Sequence, residues 1–378
     1  MTRISFAQSG RSSVGIEWEL ALVDKDSGDL RQVAQTILDM VEPDGAQHPH
    51  IRQELLLNTV EIVTGVCQTI GQAGKDLQRS LDQLHELTEP LRVELMSAGT
   101  HPFALWTHQK VTDKQRYATL IDRTQWWGRQ MLIYGVHVHV GIEDRSKVLP
   151  IMRALLPYHG FIQSFSASSP FWGGKDTGYA SNRAQMFQQL PTAGLGFQFD
   201  EWDQFEGYVG DMVHTGVIDS YDEIRWDLRP APRFGTLETR IADGASNLTE
   251  VLALAALTHC LVEHFSTLLD QGKALPTIAP WFAQENKWRS ARYGMDAILI
   301  LDNEGNEELV TEAMTRLLRE LEPTAARLGC LEELNLAHLI LRKGASYQRQ
   351  RAIARRNNGD LGPVVAHLVA EMRAGRPL

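Results

Sequence analysis

Between Val14 and Asp24 apolar and polar positions alternate: Ile16, Trp18, Leu20 and Leu22 fall on one face of an extended segment, and Glu17, Glu19, Ala21 and Val23 fall on the other. A two-residue period predicts a β-strand, so both carboxylates point the same way. Val136–Val140 repeats the pattern with three valines on one face and His137 and His139 on the other. A third strand is expected over Gly235–Ala242, with Thr236, Glu238, Arg240 and Ala242 facing one way and Leu237, Thr239 and Ile241 the other. A further strand-like run, Val60-Glu61-Ile62-Val63, adds an acid. Glu54 precedes Glu61 by an odd number of residues, so the two would face apart on one straight strand and meet only if the chain bends or bulges near Asn58.

Three- and four-residue spacing marks the helices. Leucines 77, 81, 84, 87, 91 and 95 predict one long amphipathic helix across Gly74–Met96, and similar patterns cover roughly 147–168, 202–215 and 247–269. From about Glu307 onward the chain reads as mostly helical, with leucines 309, 317, 318 and 321 as core contacts and Gly329 as a helix stop. Strands interleaved with long helices, without a regular beta-alpha-beta rhythm, imply an antiparallel sheet backed by helices, an α+β fold. No repeat or Pro/Gly/Ser linker divides the chain, so residues 1–378 are expected to form one domain with a mostly helical part from about 307.

Composition narrows the function. With 43% hydrophobic and 22% charged residues there is ample material for a large core. A net charge of -10 argues against nucleic acid or an anionic membrane as partner, since both demand a basic face. Cys67, Cys260 and Cys330 are too widely spaced for a Cys-x-x-Cys motif, which fits a reducing compartment. The first ten residues carry no signal-peptide core, and the most apolar run, Val251–Val262, is too short to span a bilayer, so the cytoplasm is the expected location. Arginines outnumber lysines about three to one. Guanidinium forks bind phosphate and carboxylate bidentately, although a compositional bias of the genome explains most of them equally well.

Glu17/Glu19, His137/His139 and Glu238/Arg240 each place paired polar groups on one strand face. Alone, a Glu-x-Glu is usually a solvated strand edge and a His-x-His can be two hydrogen-bonded core histidines. If the three faces converge, they make a pocket of carboxylates, imidazoles and a guanidinium, which suits a hard divalent cation beside phosphates better than it suits zinc. Other phosphate-binding devices are missing from the sequence: Gly173-Gly174-Lys175 is followed by Asp176, which rules out a P-loop there, and no Gly-x-Gly-x-x-Gly or Gly-x-Ser-x-Gly occurs.

Six segments taken together resemble a known family. Val14-Gly15-Ile16-Glu17-Trp18-Glu19, Thr100-His101-Pro102-Phe103-Ala104, Gly135–Gly141, Ser166–Trp172, Pro191-Thr192-Ala193-Gly194 and Gly235–Arg240 are similar, in order, to the motifs of type 2 glutamate-cysteine ligases, or carboxylate-amine ligases, of the glutamine synthetase superfamily. The resemblance runs from about residue 12 to 370. It implies a curved, mainly antiparallel sheet of about six strands that binds ATP, magnesium and glutamate. Carried over by motif, Glu19, Glu54 and Glu61 would hold one metal ion, and Glu17, His137 and Glu238 another beside the ATP phosphates. Arg240 would grip the transferred phosphoryl group, with Glu61 and Glu238 in the catalytic set and His139 near the nucleotide. The substrate carboxylates are expected on Arg183, Arg229 and Arg292.

The implied reaction activates the γ-carboxylate of glutamate, or a similar carboxylate, as an acyl phosphate and joins it to an amino-acid amine such as cysteine. Self-association is left open. Trp18 and Tyr134 depart from the family pattern, Trp18 harmlessly on the far strand face and Tyr134 at the expected pocket edge. Two other readings stand beside the ligase: a metal-dependent hydrolase using His137 and His139, and a catalytically silent glutamate- or nucleotide-binding protein on the same scaffold.

Overall fold

The computed structural model describes residues 3–42, 44 and 47–378. The main sheet has seven strands: β1 (Val14–Asp24), β2 (Ile51–Gln53), β3 (Thr59–Val63), β4 (Val93–Met96), β5 (Val136–Gly141), β6 (Leu228–Ala231) and β7 (Thr236–Thr239). Their order is β2-β3-β1-β5-β7-β6, with β4 also paired to β1, and every pair is antiparallel. Two-stranded ribbons join Phe171–Trp172 to Lys175–Asp176 and Ile298–Ile300 to Glu307–Leu309. The helices are α1 (Ala34–Val41), α2 (Ile70–Thr88), α3 (Gln115–Arg129), α4 (Val148–Ser166), α5 (Asn182–Phe187), α6 (Trp202–His214) and α7 (Leu248–Asp270). They continue with α8 (Pro280–Tyr293), α9 (Val310–Leu328), α10 (Leu331–Asn335), α11 (Ala337–Lys343), α12 (Ser346–Arg356) and α13 (Gly362–Ala374).

β1 organises the packing because its alternation is read by two cores. Ile16, Trp18, Leu20 and Leu22 are buried against the apolar faces of α2, α4 and α7. On the other face Ala21 and Val23 pack with Met96 of β4 and with Val364, Val365 and Leu368 of α13. That second face is therefore apolar at the Asp24 end of β1 and acidic at the Val14 end, where Glu17 and Glu19 project. α7 is long and apolar enough to cross a membrane, but 78% of its apolar window is buried inside the protein. Its hydropathy is that of a central core helix, and the run is longer than Val251–Val262 suggested.

The helix expected over Gly74–Met96 stops at Thr88. Pro90 offers no backbone N–H to carry the helix on, and the chain turns through Arg92, at φ 54°, into β4. Leu95 keeps the leucine spacing but is a buried strand residue. Asn247 caps α7 by accepting from the Glu250 N–H at 3.0 Å, and Gly329 ends α9 in the left-handed region, as the patterns imply. The helical tail starts at Val310 rather than Glu307, because Glu307–Leu309 forms a ribbon strand.

The expected strand over Gly235–Ala242 is shorter, and its register slips. Val138 faces Thr239, yet Gly135 faces Asp243, so the β7 side has one more residue between those pairs than the β5 side. Arg240 lies in this bulge, a device that re-aims a side chain beside a strand end.

Candidate active site

Register assembles the polar face. Glu61 lies opposite Glu19, Glu17 opposite His137, His139 opposite Glu238, and Glu238 opposite Arg229. Residues facing one another in an antiparallel pair project from the same side, so these seven form one band across four adjoining pairs. Arg52 lies opposite Glu61, and alternation puts Glu54 on the same side as Arg52. The bend that Glu54 required is a full reversal: residues 54–58 turn β2 back into β3.

The band brings potential metal ligands together in three groups: Glu19/Glu54/Glu61, Glu17/Glu61/His137 and Glu17/His139/Glu238, each with ligand atoms within 4.8 Å of one another. The first is the expected trio. The expected second trio, Glu17/His137/Glu238, is not one of them, because the β5–β7 register aims His139 rather than His137 at Glu238. Glu17 bridges the two histidines, with Oε2 3.0 Å from His137 Nδ1 and Oε1 3.5 Å from His139 Nε2. His139 Nε2 is 3.8 Å from Glu238, and its Nδ1 is 2.9 Å from Thr236 Oγ1.

Electrostatics divides the acids into two classes. Burial would raise Glu17, but hydrogen bonds from His137 and His139 outweigh it and hold the carboxyl well below its usual range. Burial likewise opposes Glu238, and the charges of Arg229 and Arg240 keep it ionised. Glu19 is pushed up to about 8 by burial and by repulsion from Glu54. Burial raises Glu61 strongly, reinforced by Glu17, Glu54 and Glu19, and burial also raises Glu54. Three carboxyls whose ionisation is opposed by burial and by neighbouring carboxylates together make a site short of positive charge.

His137 complements them. Burial and the nearby Arg240 lower it to about 4, so the ring is neutral at physiological pH. Because the Glu17 carboxylate can only accept, His137 Nδ1 carries the proton, and Nε2 is left as a buried lone pair with no protein partner. A neutral imidazole oriented by a carboxylate through its far nitrogen is the usual state of a metal-binding histidine. The donor set is mostly carboxylate oxygen, which fits magnesium better than zinc.

Two lobes open beside the band, with volumes of about 680 and 780 Å³. Glu19, Glu54, His137, Arg116, Arg229 and Arg240 line both. Arg240 is ion-paired with Glu238 through Nη1, and its Nε has no protein partner. Arg229 reaches Glu238 through Nε at 2.6 Å and donates to the Asp222 carbonyl at 3.0 Å. Arg183, on α5, lines the smaller lobe and donates to the Arg240 carbonyl at 3.2 Å.

Arg292 is not brought to either lobe. Its guanidinium donates to the Gly178 carbonyl and lies against the Tyr179 and Tyr293 rings, 5.8 and 5.1 Å from their centres. Trp18 points away from the band, donating to Ser97 Oγ at 3.0 Å on the core side. Tyr134 is fully buried and lines neither lobe, its hydroxyl 3.3 Å from Asn58 Oδ1. Arg116 on α3 and Arg225 before β6 line the smaller lobe and were passed over in the sequence. Neither sits on a strand with alternating polarity, and the one available signal was an arginine beside an aromatic at Arg116-Tyr117.

A family model described as Glutamate-cysteine ligase family 2 matches residues 13–367. A protein of Arthrobacter sp. (strain FB24), provisionally named glutamate–cysteine ligase 2-1, is 58% identical over 99% of both chains. One of Mycobacterium bovis (strain BCG / Pasteur 1173P2), provisionally named glutamate–cysteine ligase 2, is 55% identical over 98% of this chain and 97% of its own. Among solved structures, the glutamate–cysteine ligase of Francisella tularensis in complex with AMP superposes with a TM-score of 0.66 at 13% identity, covering 98% of this chain and 94% of that one. A bifunctional glutathione synthetase of Pasteurella multocida gives 0.65 at 17% identity, covering 96% of this chain and 51% of that one. These two share the fold. A family match over nearly the whole length, with relatives more than half identical, means that the chain belongs to glutamate-cysteine ligase family 2 and is a carboxylate-amine ligase, forming a carbon–nitrogen bond.

Proposed function

We propose that the protein uses ATP and magnesium to activate the γ-carboxylate of glutamate, or a close analogue, and joins it to an amino-acid amine such as cysteine. One observation carries this reading: three mutually repelling glutamates and a histidine with an unpartnered lone pair lie beside arginines whose forks are partly free. The carboxylate oxygen attacks the γ-phosphorus of ATP and ADP leaves; the amine nitrogen then attacks the acyl carbon, phosphate leaves, and the amine loses its proton. Glu19, Glu54 and Glu61 would hold one magnesium ion, and Glu17 with His137, His139 and Glu238 the others. Bound there, magnesium would neutralise phosphate charge in the transferring group.

The protein's own groups supply the rest. Glu17 fixes the His137 tautomer. Glu238, itself held by Arg229, keeps the Arg240 guanidinium in place, so that its charge would meet developing phosphoryl charge without reorganising. Arg183 and Arg229, which both line the smaller lobe, would receive a substrate carboxylate. Zinc-dependent hydrolysis suits this site less well, because its donors are chiefly oxygens. Incubating the protein with ATP, magnesium, glutamate and a panel of amines should release ADP and phosphate and give an amide identifiable by mass. A silent panel with no ATP binding would sink the reading.

Two expectations follow. Glu19 holds a proton in the folded state between the ordinary 4.5 and about 8, where the unfolded chain has released it. The folded state therefore binds more protons in that window, and stability falls as pH rises through it. Magnesium should abolish the fall by replacing those protons, so melting curves at pH 5.5 and 8 should diverge in chelator and converge in magnesium. Gly135 is needed because Arg183 crosses it: a Cβ there would lie 2.3 Å from Arg183 Nη2. Gly135→Ala is expected to lower kcat/KM by about 10- to 100-fold through displacement of the guanidinium, measured as ADP release.

A further inference from the structure

Asp243 is completely buried just beyond β7, and no ion pair involves it among the described residues. A buried carboxylate without a salt partner is costly unless hydrogen bonds replace its water. Here three do: Oδ2 accepts from the Ser168 N–H at 2.9 Å and the Ser169 hydroxyl at 2.7 Å, and Oδ1 accepts from the Ser181 hydroxyl at 2.8 Å. The space is tailored to it, since a Cβ on Gly99 would sit 2.6 Å from its carboxyl group.

Its serines lead to one residue. Ser169 Oγ, while donating to Asp243, accepts the backbone N–H of Arg183 at 3.0 Å. Ser181 is the residue that opens α5, and Arg183 lies in that helix's first turn. On the other side, Asp243 faces Gly135, over which the Arg183 guanidinium lies, and the Arg183 Nη1–H groups reach the carbonyls of Arg240 and Ile241, in the bulge before Asp243. Both the backbone and the head group of Arg183 are thus located by segments that converge on one carboxylate. Burial pushes Asp243 up, while Arg183's charge and the serine donors pull it back.

We propose that Asp243, acting through Ser169 and Ser181, is the positioning residue that aims Arg183 into the smaller lobe to receive the carboxylate substrate. This rests on the ligase reading above. The Ser166–Trp172 and Tyr179–Arg183 segments, otherwise without a role in the band, become the two arms of this device. The carboxylate is a hub rather than a ligand, so its removal should weaken binding of the carboxylate substrate and spare the nucleotide.

The test uses the whole protein with ATP, magnesium and glutamate. Asp243→Ala should raise KM for glutamate by about 10- to 100-fold, leave KM for ATP unchanged and change kcat less than threefold, the pattern of lost binding common to ground and transition states. Asp243→Asn keeps two of the three hydrogen bonds and should recover most of the loss. Should Asp243→Ala not fold, Ser169→Ala removes a single hydroxyl and should raise KM for glutamate about threefold to tenfold. In a double-mutant cycle with Arg183→Lys, the effects should be strongly non-additive, because both act through one guanidinium. A folded Ser169→Ala or Asp243→Ala protein with unchanged KM for glutamate, equal losses for glutamate and ATP, or additive effects with Arg183→Lys would overturn the proposal and leave the ligase reading standing. A wild-type protein inert toward ATP and glutamate sinks the ligase reading instead.

Discussion

Arg240→Ala is expected to lower kcat by about 10³- to 10⁵-fold, the range found when a charge-neutralising arginine is removed from phosphoryl transfer. Arg240 stands in a bulge at the end of β7, paired with Glu238 and with Nε unpartnered. Its loss leaves Glu238 still bonded to Arg229 at 2.6 Å, so no carboxylate is stranded and the fold should persist. Arg240→Lys should recover little, because a point charge cannot present the fork. Steady-state ADP release together with a melting curve decides the matter: a well-folded alanine variant within tenfold of wild type would remove Arg240 from the chemistry.

The second large effect concerns stability. Lys287, 1% exposed on α8, donates to Asp227 at 2.6 Å, and His159 Nε2 lies 3.1 Å from the same oxygen. Asp227 also joins the site to its floor, since its backbone N–H donates to Gly194 and its carbonyl accepts from Arg240. Lys287→Ala should destabilise the protein by about 3–5 kcal/mol, the penalty for stranding a buried charge. Replacing both charges, with Lys287→Met and Asp227→Asn together, should restore most of it. Burial opposes ionisation of Asp227, but Lys287 and His159 hold its folded pKa below the usual range. Its contribution is therefore fully present above an unfolded pKa of about 3.9 and lost as pH falls through the folded value. Denaturant melts at pH 7 and in acid would read both; a single variant as stable as wild type would refute the argument.

What the sequence revealed was local. Period-two alternation identified β1 residue by residue, with its two faces, and placed both histidines of β5 on one side. Motif order supplied Glu54, which alternation alone would have discarded. Pairing was hidden, because nothing in Val136–Val140 says that His139 rather than His137 will face Glu238; register depends on partners far away in the chain. The break at Pro90 was overridden by a leucine rhythm that continues across a turn. Arg116 and Arg225 were missed because they reach the smaller lobe from a helix and a connecting segment, where polarity carries no period. Arg292 was chosen by residue type, and its neighbours Tyr179 and Tyr293 hold it elsewhere.

The two-sided use of β1 has a consequence for biosynthesis. Ala21 and Val23 leave the ribosome long before Val364, Val365 and Leu368, which cover them, are made. At roughly 5–20 residues per second, that interval is on the order of tens of seconds. Throughout it the nascent sheet carries an uncovered apolar patch next to a cluster of uncompensated acids, a surface that invites chaperone capture and penalises any pause in translation before α13 emerges.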